Sequence, residues 1–167
     1  MPRSFIPKHN TPDKDLVMTP ISLAKDIIKH FKPSGLILDP CRGEGAFYNN
    51  FPKNCKKDWC ELSEGKDFFN YKNKVNWIIT NPPWSKIRDF MIHSTKISNN
   101  VVFLITINHY FTKLRLRLLY ENNFGLKEFY CVKTPPLPWP GSGFQLAAVY
   151  FKKNYKGEII ISGKIGK

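Results

Sequence analysis

Asn81-Pro82-Pro83-Trp84 is the stretch of this chain whose residue types are best suited to chemistry. It follows Trp77-Ile78-Ile79, a short apolar run with β-forming residues. Two consecutive prolines disfavour helix at the residues before them and remove two backbone donors, so the chain leaves the strand stiff and extended. What remains is a set of acceptors: the Asn81 side-chain oxygen and the carbonyls of Asn81 and Pro82, with no proline N–H to compete. Trp84 adds a flat apolar face. An exocyclic aromatic amine carries two N–H donors on a planar ring, and it needs two acceptors and a surface to stack on. The tetrapeptide reads as a grip for such an amine, the alternative being an ordinary Pro-Pro turn after a strand.

A second constellation lies earlier. Gly35-Leu36-Ile37-Leu38 has the pattern of a buried strand, and Asp39-Pro40-Cys41-Arg42-Gly43-Glu44-Gly45-Ala46-Phe47 follows it. A strand entering a Gly-x-Gly turn and then a helix places a ligand at the carboxyl edge of a parallel sheet. Gly43 and Gly45 allow close backbone approach and positive φ. A dinucleotide fingerprint would want a third glycine, and an acid at the strand end, Asp39, opposes a pyrophosphate. A carboxylate there suits an ammonium instead, such as that of an amino-acid moiety. Glu61, with Leu62 beside it at the end of a second predicted strand, lies 22 residues past Asp39. That is the distance at which a βαβ unit brings an acid to ribose hydroxyls.

The elements that must position these groups can be read from periodicity. Ile21, Leu23, Ala24, Ile27, Ile28 and Phe31 recur at helical spacing, with Thr19 as the expected N-cap and Pro20 at the first helical position. After the tetrapeptide, 86–98 is predicted helix, 101–107 a buried strand, and 111–124 a helix closed by Gly125, although Leu114, Leu116 and Leu118 also fit a period of two. Strands are predicted over 126–132 and 144–151, joined by a stiff proline-rich loop over 134–143 that carries Trp139. Residues 152–161 suggest an edge hairpin. Strands alternating with helices, then two strands with no helix between them, define an α/β doubly wound fold.

Length and composition set limits. At 167 residues the chain suits one domain, read as an arm or lid over 1–18 and a single catalytic domain over 19–167. An apolar fraction of 42% with 14% aromatics suits a packed core. The longest apolar run, 101–107, is too short to span a bilayer, and the first residues lack an apolar signal core. Cys41, Cys55, Cys60 and Cys131 show no Cys-x-x-Cys pairing, so free thiols, a cytoplasmic location and no metal site are expected. The net charge of +13 is uneven: eleven Lys and Arg but only three acids follow Asp89. That field favours a polyanion such as nucleic acid, a merely basic surface being the alternative. Lys113, Arg115 and Arg117 could face phosphate or simply be exposed helix charge. His9, His30, His93 and His109 are scattered and read as structural or exposed.

The quoted residues resemble the S-adenosylmethionine-dependent amino-methyltransferases, whose hallmark is Asn/Asp-Pro-Pro-aromatic, and within them most of all the N6-adenine methyltransferases. The run from Asp39 to Phe47 is similar to methyltransferase motif I, with Arg42 departing from the Cys or Gly common there. Thr19-Pro20 is similar to the N-terminal motif near the cofactor's methionine end. Asp67 in Gly65-Lys66-Asp67-Phe68-Phe69 resembles the third motif, which implies an acid accepting from the cofactor's adenine amine with Phe68 beside the ring. Motif order resembles the gamma arrangement of DNA adenine methyltransferases over roughly residues 19–152, as in compact phage or mobile-element enzymes. The resemblance implies a Rossmann-like, mostly parallel seven-stranded sheet with an antiparallel final strand, S-adenosyl-L-methionine as cofactor, and Asn81, Pro82, Pro83 and Trp84 as the catalytic group.

The expected partner is nucleic acid, DNA before RNA, with a homodimer or partner subunit open and no membrane. A flipped base costs a few kcal/mol and each aromatic stack returns about 1–3 kcal/mol, so a second aromatic would help. Trp139 is the candidate, with Phe144 and Phe111 behind it; a Pro-Trp-Pro core plug is the equal alternative for Trp139. Two further functional readings stand beside the first. One is a protein-glutamine methyltransferase, which shares Asn-Pro-Pro-aromatic but usually with Tyr. The other is a catalytically silent nucleic-acid-binding subunit.

Overall fold

The computed structural model describes residues 17–167, so the arm expected over 1–18 lies outside the described residues except for Val17 and Met18. Three helices, α1 (Ile21–Phe31), α2 (Ile87–Ile97) and α3 (Lys113–Glu121), flank seven strands. The strands are β1 (Leu36–Asp39), β2 (Lys56–Trp59), β3 (Val75–Thr80), β4 (Ser98–Thr106), β5 (Phe124–Cys131), β6 (Leu146–Lys153) and β7 (Ile160–Gly163). They form one sheet in the order β2-β1-β3-β4-β6-β5-β7. β2, β1, β3 and β4 pair in parallel, β5 and β7 likewise, and β6 alone runs against its neighbours β4 and β5.

The central strands are apolar on both faces, as strands covered twice must be. Successive residues point to opposite sides. Ile37, Ile79, Val102 and Leu104 pack with Ala24, Ile27 and Ile28 of α1. Leu38, Ile78, Val101 and Phe103 pack with Phe90 and Met91 of α2 and Leu118 and Leu119 of α3.

Several local expectations are corrected. Pro20 itself is the N-cap of α1, and its carbonyl accepts from the N–H groups of Leu23 and Ala24, while Thr19 makes no cap. The helix expected after the glycine turn shrinks to one 3₁₀ turn, Tyr48–Asn50, because Pro52 follows and holds Phe51 extended at ψ 148°. In 111–124 the helical period prevails: Thr112 accepts from the Arg115 N–H at 3.4 Å and α3 runs from there to Glu121. The reversed strand is β6, and the last strand in the chain is parallel to its neighbour.

The edge hairpin is also absent. Both edges of β6 are already taken by β4 and β5, so the chain must turn and cross to the free edge of β5. The turn is held by Asn154, whose N–H donates to the Asn123 carbonyl at 2.6 Å, and by the Tyr155 hydroxyl, which donates to the Glu158 carbonyl at 2.7 Å. This crossing leans on Gly125 of β5, where a Cβ would stand 2.1 Å from the Tyr155 carbonyl oxygen. Gly125→Ala is expected to lower unfolding free energy by roughly 1–3 kcal/mol, measured by chemical denaturation.

Candidate active site

β1 and β3 are neighbours in the sheet, yet β2 lies between them in the chain and on the far side of β1. The strand order therefore reverses at the gap between the ends of β1 and β3, where open α/β sheets bind ligands. Asp39 ends β1 and Thr80 ends β3; both are fully buried, and the Thr80 hydroxyl donates to Asp39 Oδ1 at 2.8 Å. The Cys41 N–H donates to the same oxygen at 3.3 Å, and Oδ2 has no partner. Burial pushes the Asp39 carboxyl up to about 7, against the pull of Thr80 and Cys41. Asp39 is fully buried and is not among the residues that line the cleft; in the structure it clamps two strand ends.

The glycine turn is tied to the next strand. The Arg42 N–H donates to the Cys60 carbonyl at 3.0 Å, and the Gly43 N–H to Glu61 Oε2 at 2.8 Å. Gly43 holds φ 50°, a conformation that costs other residues energy. Glu61 Oε1 accepts from the hydroxyl and N–H of Ser63 at 2.8 and 3.3 Å. Burial opposes the charge on Glu61, but the hydrogen bonds from Gly43 and Ser63 and the nearby Arg42 outweigh it and lower its pKa below 4.5. Each oxygen retains acceptor capacity. Arg42, the residue that departs from the motif, lies over the Trp59 ring at 3.9 Å and pairs with Glu64.

Glu61 stands in the wall of a cleft of about 410 Å³, a size that suits a nucleoside-sized ligand. One end is aromatic: Phe68, Phe69 and Phe90 line it, with the Phe68 and Phe90 rings 4.9 Å apart. Asp67 lines it too, while one of its oxygens accepts from the Phe69 N–H at 2.9 Å. The other end narrows between Thr19, Gly43 and Phe47. Asn81 borders both parts, and so do Val17 and Met18. The Asn81 Nδ2 donates to the Val17 carbonyl at 3.0 Å.

Past Asn81 the chain turns through a buried Pro82 to the half-buried Trp84. The Trp84 ring meets His109 and Trp139, both edge-on, at 5.5 and 6.4 Å. Burial, with Arg115 second, lowers the His109 pKa below 6.5, so this imidazole is neutral at pH 7.

The expected site residues sort as follows. Thr19, Pro40, Cys41, Gly43, Phe47, Glu61, Leu62, Asp67, Phe68 and Asn81 line the cleft or its narrow end, together with Pro83. Pro20 instead borders a separate cavity, because α1 turns away at that residue. Gly45 packs against Asn49. Trp139 is 4% exposed and belongs to the α1-side core, which makes it a plug behind Trp84 and removes it as a free stacking surface. Phe111 lies over Phe129 at 5.3 Å and Phe144 is exposed on the loop before β6; neither lines the cleft. Lys113 is exposed at the start of α3, and the Arg115 guanidinium donates to the His109 carbonyl at 2.6 Å. Val17, Met18, Ser63, Glu64, Phe69, Lys86 and Phe90 also line the cleft without being among the expected site residues; of these Phe69 carries a signal, as an aromatic directly beside the Asp67-Phe68 pair. Among the described residues no cluster could hold a metal ion, and no helix is long and apolar enough to cross a membrane.

No family model matches the chain, and no curated protein matches it. Solved structures do. One assigned as a class I S-adenosylmethionine-dependent methyltransferase from Listeria monocytogenes has a TM-score of 0.66 at 11% identity, covering 96% of this chain and 70% of that one. One assigned as an RNA methyltransferase from Pyrococcus horikoshii has a TM-score of 0.55 at 15% identity, covering 80% and 82%. The 23S rRNA methyltransferase ErmE has a TM-score of 0.56 at 10% identity, covering 81% and 70%. The chain thus has the Rossmann-like class I methyltransferase fold.

Asp39 makes the stability of the fold depend on pH. Its carboxyl is raised from 3.8 to about 7 by folding, so the folded state holds a proton that the unfolded chain releases over that range. The associated stability is fully present below about pH 4 and is lost as pH rises through about 7. Asp39→Asn should flatten this loss by on the order of a few kcal/mol between those limits, read from denaturation at several pH values.

Proposed function

We propose that the chain transfers a methyl group from S-adenosyl-L-methionine to the exocyclic N6 amine of adenine in nucleic acid. The observation that carries this reading is Asn81: it leaves β3 on the border of the cleft, with its amide nitrogen committed to Val17 and its oxygen turned away from that carbonyl. The cleft's groups fit the donor. Glu61 can accept from ribose hydroxyls and Asp67 from an adenine amine beside Phe68, and the narrow end at Gly43 would take the amino-acid part of the donor. When bound, S-adenosylmethionine supplies an electrophilic methyl group and a good leaving group.

The adenine amine is a poor nucleophile because its lone pair is delocalised into the ring. Accepting its two N–H bonds at Asn81 Oδ1 and a carbonyl of the Asn81-Pro82 segment draws the nitrogen towards tetrahedral geometry. The same acceptors stabilise the positive charge that develops on it. Trp84 offers its ring for the base, and positioning carries the rate. Neutral His109 against Trp84 adds no positive charge beside that developing cation.

DNA is the first substrate of this reading. RNA stands beside it because two of the similar structures are described as acting on RNA. Incubation with labelled donor and DNA, RNA or protein, followed by nucleoside and peptide mass spectrometry, is expected to place the label in N6-methyladenine. Label confined to glutamine would overturn the reading. Asn81→Ala should cut kcat by roughly 10²–10³-fold with donor affinity little changed. Trp84→Ala should instead raise KM for nucleic acid, by roughly tenfold if one stack is lost.

A further inference from the structure

The contact between Asn81 and Val17 spans 64 positions in the chain and joins the N-terminal segment to the heart of the site. A backbone carbonyl can only accept, so the edge of the Asn81 carboxamide that faces Val17 must be its NH2. The oxygen then faces the opposite way whichever atoms are assigned. A freely rotating carboxamide would spend part of its time presenting NH2 to the substrate, setting donor against donor. The residues flanking the contact are not distant from the ligand: Val17 and Met18 both line the cleft. Met18 also closes on the glycine turn, since a Cβ on Gly43 would stand 3.0 Å from its sulfur.

We propose that the backbone carbonyl of Val17 is a positioning group for the reaction, fixing the Asn81 carboxamide so that Oδ1 faces the target amine. The inference rests on the amine-methylation reading and adds to it a role for a main-chain atom outside the motif. The segment that walls the donor cleft is then the one that aligns the acceptor for the second substrate.

The test replaces Met18 in the full-length chain with its α-hydroxy analogue, which turns the Val17–Met18 amide into an ester and leaves every side chain in place. The ester carbonyl is a weaker acceptor. In protein labelled with ¹⁵N-asparagine, the Asn81 side-chain amide resonance is expected to move upfield and its protons to exchange faster. The kcat should fall roughly 2- to 10-fold, the range of one neutral hydrogen bond, with the donor Kd from calorimetry unchanged. The same ester in Asn81→Asp should not lower kcat further, because a carboxylate has no N–H to give and only repels the Val17 carbonyl. An unmoved Asn81 resonance, an equal loss of kcat in both backgrounds, or a loss accounted for by weaker donor binding would each overturn the proposal. If the unmodified protein methylates neither DNA nor RNA, the adenine reading fails, and the role for Val17 with it, while the resonance alone still decides whether the contact exists.

Discussion

Asp39 and Thr80 close the ends of two neighbouring parallel strands, and a single buried hydrogen bond of 2.8 Å joins them. Two of the segments that wall the cleft hang from these two residues. The glycine turn begins directly after Asp39, and the Asn81-Pro82-Pro83-Trp84 run begins directly after Thr80. A carboxyl group placed where water cannot reach it is costly unless it is protonated or well bonded; here Oδ1 accepts two hydrogen bonds and burial raises the pKa to about 7. The clamp sets the distance between the two loops before any ligand arrives. Preorganisation of this kind is what differential stabilisation of a transition state requires.

Glu61 performs the corresponding task for the third loop. By accepting from Gly43 and Ser63 it locks the glycine turn to the end of β2, and the residue itself lines the cleft. The same hydrogen bonds hold its charge in place at the cleft wall. The Arg42–Glu64 pair and the Trp59 ring beneath Arg42 add a second tie between those segments. The acids of the site thus gather around the cleft's polar wall, and its far end is aromatic.

What could be read from the chain alone was whatever depends on near neighbours in sequence. The strand–glycine turn, the acid 22 residues later and the proline pair each declare a local backbone geometry, and each arrived at the same sheet edge. Pairing choices were not legible. Nothing near Ile160 states that β6 has no free edge, so the crossing of β7 to β5 could not be foreseen. Trp139 had equal claims as plug and platform because burial is decided by α1 and β6, which meet it only in the folded molecule. Phe90 joins Phe68 from a helix beyond the Asn81-Pro82-Pro83-Trp84 run. The Val17 carbonyl carries no side-chain signature at all, and its partner lies 64 positions away.

The lone reversed strand has a consequence for how this molecule can vary. Because β5 and β6 are antiparallel neighbours, their connection must open on the same rim as the ligand cleft, whereas each parallel pair must spend its connection crossing to the opposite end. The base of that connection is stitched shut by the Val132 N–H on the Leu146 carbonyl and by Gln145 on the Val132 carbonyl, both at 3.0 Å. Changing the exposed positions of this connection, which leave out the buried Trp139, would keep the register of the strands. Evolution, or an engineer, can therefore redraw the surroundings of Trp84 through one hairpin, while the scaffold that walls the cleft stays as it is.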